Sequence, residues 1–139
     1  MSIKAILIPM FVQVGLTFVL LFWMGALRMR AIRRGEVNAH QVLLREANWP
    51  PRVLQVANAY HNQLELPVLF YVVVLLAFMT RTLDVVLLVL SWLFVLARLA
   101  HAYVHVTTNR LDRRTGVFGV GAIALLLMWV IVIGRILSA

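Results

Sequence analysis

Apolar residues fill this chain in four long runs separated by short polar stretches, at about 6–27, 64–80, 83–106 and 117–137. Roughly 20 such residues cross the hydrocarbon core of a bilayer as one helix. A membrane barrel would need polar and apolar residues in alternation, whereas LPVLFYVVVLLAFM and VVLLVLSWLFVLA are apolar on every face. The second run is short, but Pro51 suits an early helical position, so its helix starts near residue 53. The pattern predicts four transmembrane helices over about 5–27, 53–80, 83–107 and 115–137, in a single domain spanning 1–139 with no repeat or linker. Residues 81–84 form so short a turn that the second and third helices must be antiparallel neighbours.

Composition agrees with that pattern. A 139-residue chain with 63% hydrophobic and 13% charged residues, and a mean hydropathy of +0.95, is no ordinary soluble domain. The expected class is an all-α membrane protein, a four-transmembrane-helix bundle embedded in the lipid bilayer. Arginines rather than a small-residue cleavage site follow the first helix, which is therefore read as retained and not as a signal peptide. The absence of cysteine excludes disulfides, thiolate metal sites and a cysteine nucleophile.

The net charge of +8 suggests nucleic acid until the charges are placed. Arg28, Arg30, Arg33, Arg34, Arg45 and Arg52 lie between helices one and two, and Arg110, Arg113 and Arg114 between helices three and four. Only Lys4, Arg81 and Arg135 fall on the other side. This is the positive-inside pattern: basic loops 28–52 and 107–114 in the cytoplasm, both termini outside, in a membrane such as the bacterial inner membrane. The arginines serve topology and lipid head groups, and nucleic acid is not an expected partner. The stretch 37–49 is expected to form a short interfacial helix with Val42, Leu43 and Trp49 at the lipid surface.

Candidate chemistry lies in the polar residues that interrupt the apolar runs. Gln13 and Thr17 share a face of helix one and read as polar glue between helices. Helix two carries Asn58, Asn62 and Glu65; helix three carries Arg98, His101 and His105. Across a tight turn, residues equidistant from its centre lie at one depth, which sets Glu65 opposite Arg98, Asn62 opposite His101 and Asn58 opposite His105. The Glu65 level is roughly 25 Å from the turn at 1.5 Å per residue. An ionisable group at membrane depth is costly and normally finds a partner, so a Glu65–Arg98 ion pair is expected. Pro67 should bend helix two and free the carbonyl of Gln63. Gly119, Gly121, Ala122 and Ala124 suggest a close helix contact in helix four.

Two readings of this ladder stay open: packing alone, or a polar cleft for a small anionic ligand entering from the basic side. His101 and His105 have the spacing of a metal-ligand pair, with His61 near their depth. The facing Asn58 and Asn62 suit hydrogen bonding better than ligation, and no metal site is assigned. Ion transport is disfavoured because the ladder occupies only half of the membrane.

Asn62, Glu65 and Pro67 on helix two, Arg98 and His101 on helix three, the basic run from Arg110 to Arg114 followed by Thr115, and Arg28 and Arg30 after helix one together resemble the MAPEG family. These are membrane-associated proteins in eicosanoid and glutathione metabolism, and the resemblance covers nearly the whole chain. It implies a homotrimer with glutathione as cosubstrate in clefts between subunits, and a lipophilic small molecule as second substrate. Carried over by residue, Arg28 and Arg114 would hold glutathione carboxylates or stabilise its thiolate. Asn62, Glu65, Arg98, His101 and Thr115 would line the site, and Arg114 with His105 would carry catalysis. His105 stands at the family's tyrosine position, His61 at a position commonly arginine, and Pro67 comes earlier than usual. The expected activity is glutathione transferase or peroxidase; the alternative is a non-enzymatic trimeric scaffold or an accessory subunit of a membrane complex.

Overall fold

The computed structural model describes residues 3–43 and 48–138; Arg45 of the first basic loop lies outside them. Among the described residues, four helical passes are long and apolar enough to cross a membrane. The first is α1 (Ile3–Arg33). The second is made of α2 (Pro51–His61) and α3 (Leu66–Met79), joined by a 3-10 turn (Asn62–Leu64). The third and fourth are α4 (Val85–Val106) and α5 (Leu111–Leu137). The protein is an all-α integral membrane protein built as a four-transmembrane-helix bundle.

The helix ends follow from local chemistry. Gly35, at φ +69°, takes the left-handed position after α1, and the amides of Gly35 and Glu36 reach back to the carbonyls of Ile32 and Ala31, each at 3.0 Å. Asp84 caps α4 by accepting from the Leu87 amide at 2.9 Å. Its carboxylate also pairs with Arg135 at 2.6 Å, and Arg135 donates to the Thr82 carbonyl at 2.7 Å, tying the end of α5 to the α3–α4 turn. The helix of the fourth pass begins at Leu111, with Asp112 in its first turn where a carboxylate favours the helix dipole.

The second pass breaks where a single bent helix was expected. Pro67 sits in the first turn of α3 and has no amide to give the Gln63 carbonyl, while Glu65 takes φ −97° and ψ −108°, outside the helical region. Around the break, backbone carbonyls become available to side chains.

α4 is the central element and packs on α5, α1 and α2. One apolar core joins Ile6, Phe70, Val73, Phe94, Leu125 and Met128; a second joins Leu20, Met24, Val56, Ala59, Ala102 and Val106 towards the other membrane face. Between them Gln13 Nε2 donates to Gln63 Oε1 at 2.9 Å, both side chains fully buried, so Gln13 does bridge helices. Thr17 bonds to the carbonyl of Gln13 in its own helix. The loop after α1 differs from its expected form: Ala39–Val42 is a 3-10 turn. Trp49 is buried with Ala31, Val37 and Val53 instead of lying at the lipid surface, because the loop folds back onto the end of α1.

Candidate functional site

The break in the second pass creates the site. Arg98, on the face of α4 towards α2 and α5, is only 1% exposed. Its Nη2 donates to the Asn62 carbonyl at 2.9 Å, within the 3-10 turn. An uninterrupted helix would already have used that carbonyl. The guanidinium carbon lies 5.9 Å from the Phe118 ring of α5, within cation–π range. Gly121 of α5 packs against the same stretch of α4, and a Cβ there would meet Ala97 Cβ at 3.4 Å and Arg98 Cδ at 3.9 Å, ordinary contact distances.

The expected Glu65–Arg98 ion pair does not form. Ion pairs among the described residues join Arg34 to Glu36, Arg110 to Asp112 and Arg135 to Asp84. Glu65 is exposed at the break, and Arg98 directs its Nη2 to a backbone carbonyl instead. The side-chain rungs are also replaced. His105 is met through its backbone carbonyl, which accepts from Gln55 Nε2 at 2.8 Å, and Arg52 donates to the Val106 carbonyl. Backbone atoms take these roles because the last carbonyls of α4 lack helical partners.

Both histidines of α4 are buried. Their rings meet edge to face at 5.6 Å, and His101 lies 5.7 Å from Phe118. Arg114 Nη1 sits 3.3 Å from His105 Nε2 and donates to Asn109 Oδ1 at 2.7 Å. Because a guanidinium can only donate, His105 must accept at Nε2 and carry its proton at Nδ1. That fixes a neutral ring with a defined tautomer. Asn109, which accepts from the same Nη1, has φ +49°, a left-handed conformation that asparagine tolerates well.

These groups border an open cleft of about 420 Å³ between α2, α4 and α5. Asn58, His61, Asn62 and Glu65 form one wall, His101 and His105 a second, and Arg114, Thr115 and Phe118 a third. Arg98 stands behind the lining. Buried Arg98 Nε and Nη1, His101 Nδ1 and His105 Nδ1 have no hydrogen-bond partner within the protein. Such orphaned polar atoms are uncommon in a purely structural core and each costs about 1–3 kcal/mol. The cleft thus offers fixed cations, one unpaired carboxylate and amide side chains, a set suited to a zwitterionic or anionic small molecule. Among the described residues no group of three potential metal ligands is present.

Of the residues singled out in the sequence, Asn62, Glu65, His101, His105, Arg114 and Thr115 come together here, with Arg98 behind them. Arg28 does not. Its guanidinium lies over the Trp49 ring at 5.1 Å, at the end of α1. Sequence reasoning missed Phe118, Gln55 and Asn109. Phe118 is one helical turn beyond Arg114 and Gln55 three residues before Asn58, so helical spacing marked both; nothing local marked Asn109.

No curated protein and no solved structure matches the chain significantly. A family model does: that of the MAPEG family, over residues 6–134. Its match runs from the core of the first pass to the end of the fourth and takes in every residue of the cleft. With nearly its whole length matched, the chain belongs to the MAPEG family, membrane proteins of glutathione and eicosanoid metabolism.

Proposed function

We propose that the cleft binds glutathione and presents its thiolate to a lipophilic electrophile or lipid peroxide at the membrane. The observation that carries this reading is the Arg114–His105 contact at the edge of a cleft that also holds an unpaired Glu65. Glutathione has two carboxylates, one ammonium and one thiol. Glu65 is free to take the ammonium, the cationic side takes a carboxylate, and Asn58 and Asn62 offer amides to the peptide backbone. The volume falls in the roughly 300–1,000 Å³ range of small-molecule sites.

In this reading Arg114 sits beside the sulfur, and its fixed charge favours loss of the thiol proton to solvent. The thiolate then forms a carbon–sulfur bond with the electrophile. The leaving group departs with the bonding pair, or, in a conjugate addition, a proton from water completes the neighbouring carbon. His105 replaces the family's tyrosine as a neutral ring that positions Arg114. Thr115 hydroxyl and His101 complete the lining. The thiol belongs to the cosubstrate, which fits a chain without cysteine.

The reading further places the protein as a homotrimer, with Arg28 of a neighbouring subunit closing the open side of the cleft. Basic loops 28–52 and 107–114 would face the cytoplasm, the source of glutathione, with the termini outside, in a bacterial inner membrane. Calorimetric titration of the detergent-solubilised protein with glutathione tests it. Saturable binding below millimolar concentration is expected, weakened in Glu65→Gln; no heat of binding at millimolar glutathione would leave the scaffold or accessory-subunit reading in its place.

A further inference from the structure

Arg114 enters the cleft from the start of α5 on a long side chain, which gives up much rotamer freedom when it is held in one direction. Two acceptors hold it, and both engage the same nitrogen. Asn109 Oδ1 lies 2.7 Å from Nη1, and His105 Nε2 lies 3.3 Å from it. The first distance is that of a short, charge-assisted bond, whereas the second exceeds the usual N–H hydrogen-bond range of about 2.7–3.2 Å. Asn109 is therefore the stronger anchor. Its own position is set by backbone: at φ +49° its amide donates to the Val104 carbonyl at 2.7 Å and closes the end of α4. The last turn of α4 thus carries His105 and, through that bond, also fixes the oxygen that aims Arg114.

Both acceptors are neutral. Asp112 is the carboxylate of the first turn of α5, and Arg110 engages it through Nε at 3.3 Å and Nη2 at 3.0 Å. Arg114 takes part in no ion pair among the described residues. A guanidinium Nη carries two hydrogens; the amide oxygen takes one and the imidazole the other, so Nη1 is fully engaged within the chain. We propose that Asn109 is the positioning residue of this site: it fixes Arg114 through Nη1 and leaves the Nη2 and Nε donors, with the whole positive charge, for the anion in the cleft. That this anion is a thiolate rests on the function proposed above; the positioning does not.

Two variants separate direction from charge. Asn109→Gly keeps the left-handed turn and deletes the acceptor, while Asn109→Asp keeps an acceptor and adds a charge that cancels that of Arg114. Two spectra of the full-length protein in detergent read them: the ring-nitrogen NMR spectrum of His105 without ligand, and an ultraviolet titration of the thiol at saturating glutathione. Wild type and Asn109→Asp show the single His105 tautomer protonated at Nδ1; Asn109→Gly shows a mixture. The ionisation constant of the bound thiol is about ten-fold below wild type in both variants, because the cation is misdirected in one and neutralised in the other. A single tautomer in Asn109→Gly, a mixture in Asn109→Asp, or an unchanged ionisation constant in either variant overturns the proposal. A role confined to the turn gives that result, moving thermal stability and neither spectrum. If wild type binds no glutathione, the cosubstrate reading falls, and the tautomers alone decide whether Asn109 positions Arg114.

Discussion

At the residue scale, a buried cation in a membrane helix has two ways to be satisfied, by a carboxylate or by freed backbone. Arg98 takes the second, donating to the Asn62 carbonyl at the break before Pro67. The polar ladder was legible in the sequence because charged and amide residues inside apolar runs stand out. The partner of Arg98 was not, because depth matching across a turn assumes two uninterrupted helices and side-chain partners. Pro67 denies an amide only to the Gln63 carbonyl; the non-helical turn at Glu65 is what frees the Asn62 carbonyl that competes with the Glu65 carboxylate. The two residues should therefore behave differently. Glu65→Gln should shift thermal stability in detergent by no more than about 0.5 kcal/mol, as for an exposed substitution. Arg98→Met, which leaves a buried carbonyl without its donor, should cost about 1–3 kcal/mol. Equal, large losses in both would restore the ion pair.

At the element scale, the ends of the bundle are held by unlike devices. On the cleft side, Arg52 and Gln55 of α2 bind the last carbonyls of α4, and Arg52 also stacks over Trp23 at 5.1 Å. At the other end, Asp84 caps α4 and pairs with Arg135 of α5. That arginine holds the Asp84 carboxyl below its ordinary value of 3.8, with the Leu87 amide assisting. A carboxyl whose pKa is depressed on folding adds stability above its unfolded pKa and loses it as the pH falls through the folded one. The stability advantage of wild type over Asp84→Asn should accordingly be constant at neutral pH and shrink as the pH drops below 3.8. Thermal unfolding of both proteins across that range checks it; a gap that widens on acidification would contradict the assignment. Helix number and order were evident from apolar run length. The split of the second pass and the inward fold of Trp49 depend on tertiary contacts that run length does not encode.

At the scale of the whole molecule, the chain has one strongly basic end, which carries the open cleft, and one nearly neutral end. The cysteine-free sequence makes the proposed orientation easy to test. With the basic loops inside, a cysteine at Ala39 should resist an impermeant thiol reagent in intact cells and react after lysis, whereas a cysteine at Thr80 should react before lysis. The reverse pattern would invert the protein in the membrane and turn the cleft away from cytosolic glutathione. Membership of the family was carried by a handful of polar residues at helical spacing, and those residues do converge on one cleft. Arg28 does not join them within a single chain, since its reach ends over Trp49. The claim that matters most concerns the sulfur. Ultraviolet difference spectroscopy of the solubilised protein mixed with glutathione at neutral pH reads the thiolate band directly. Wild type should show a band that saturates with binding, while Arg114→Ala, still binding glutathione in the calorimeter, should lose it together with roughly 10²-fold in transferase rate. Glutathione that binds wild type without any thiolate band would contradict the account.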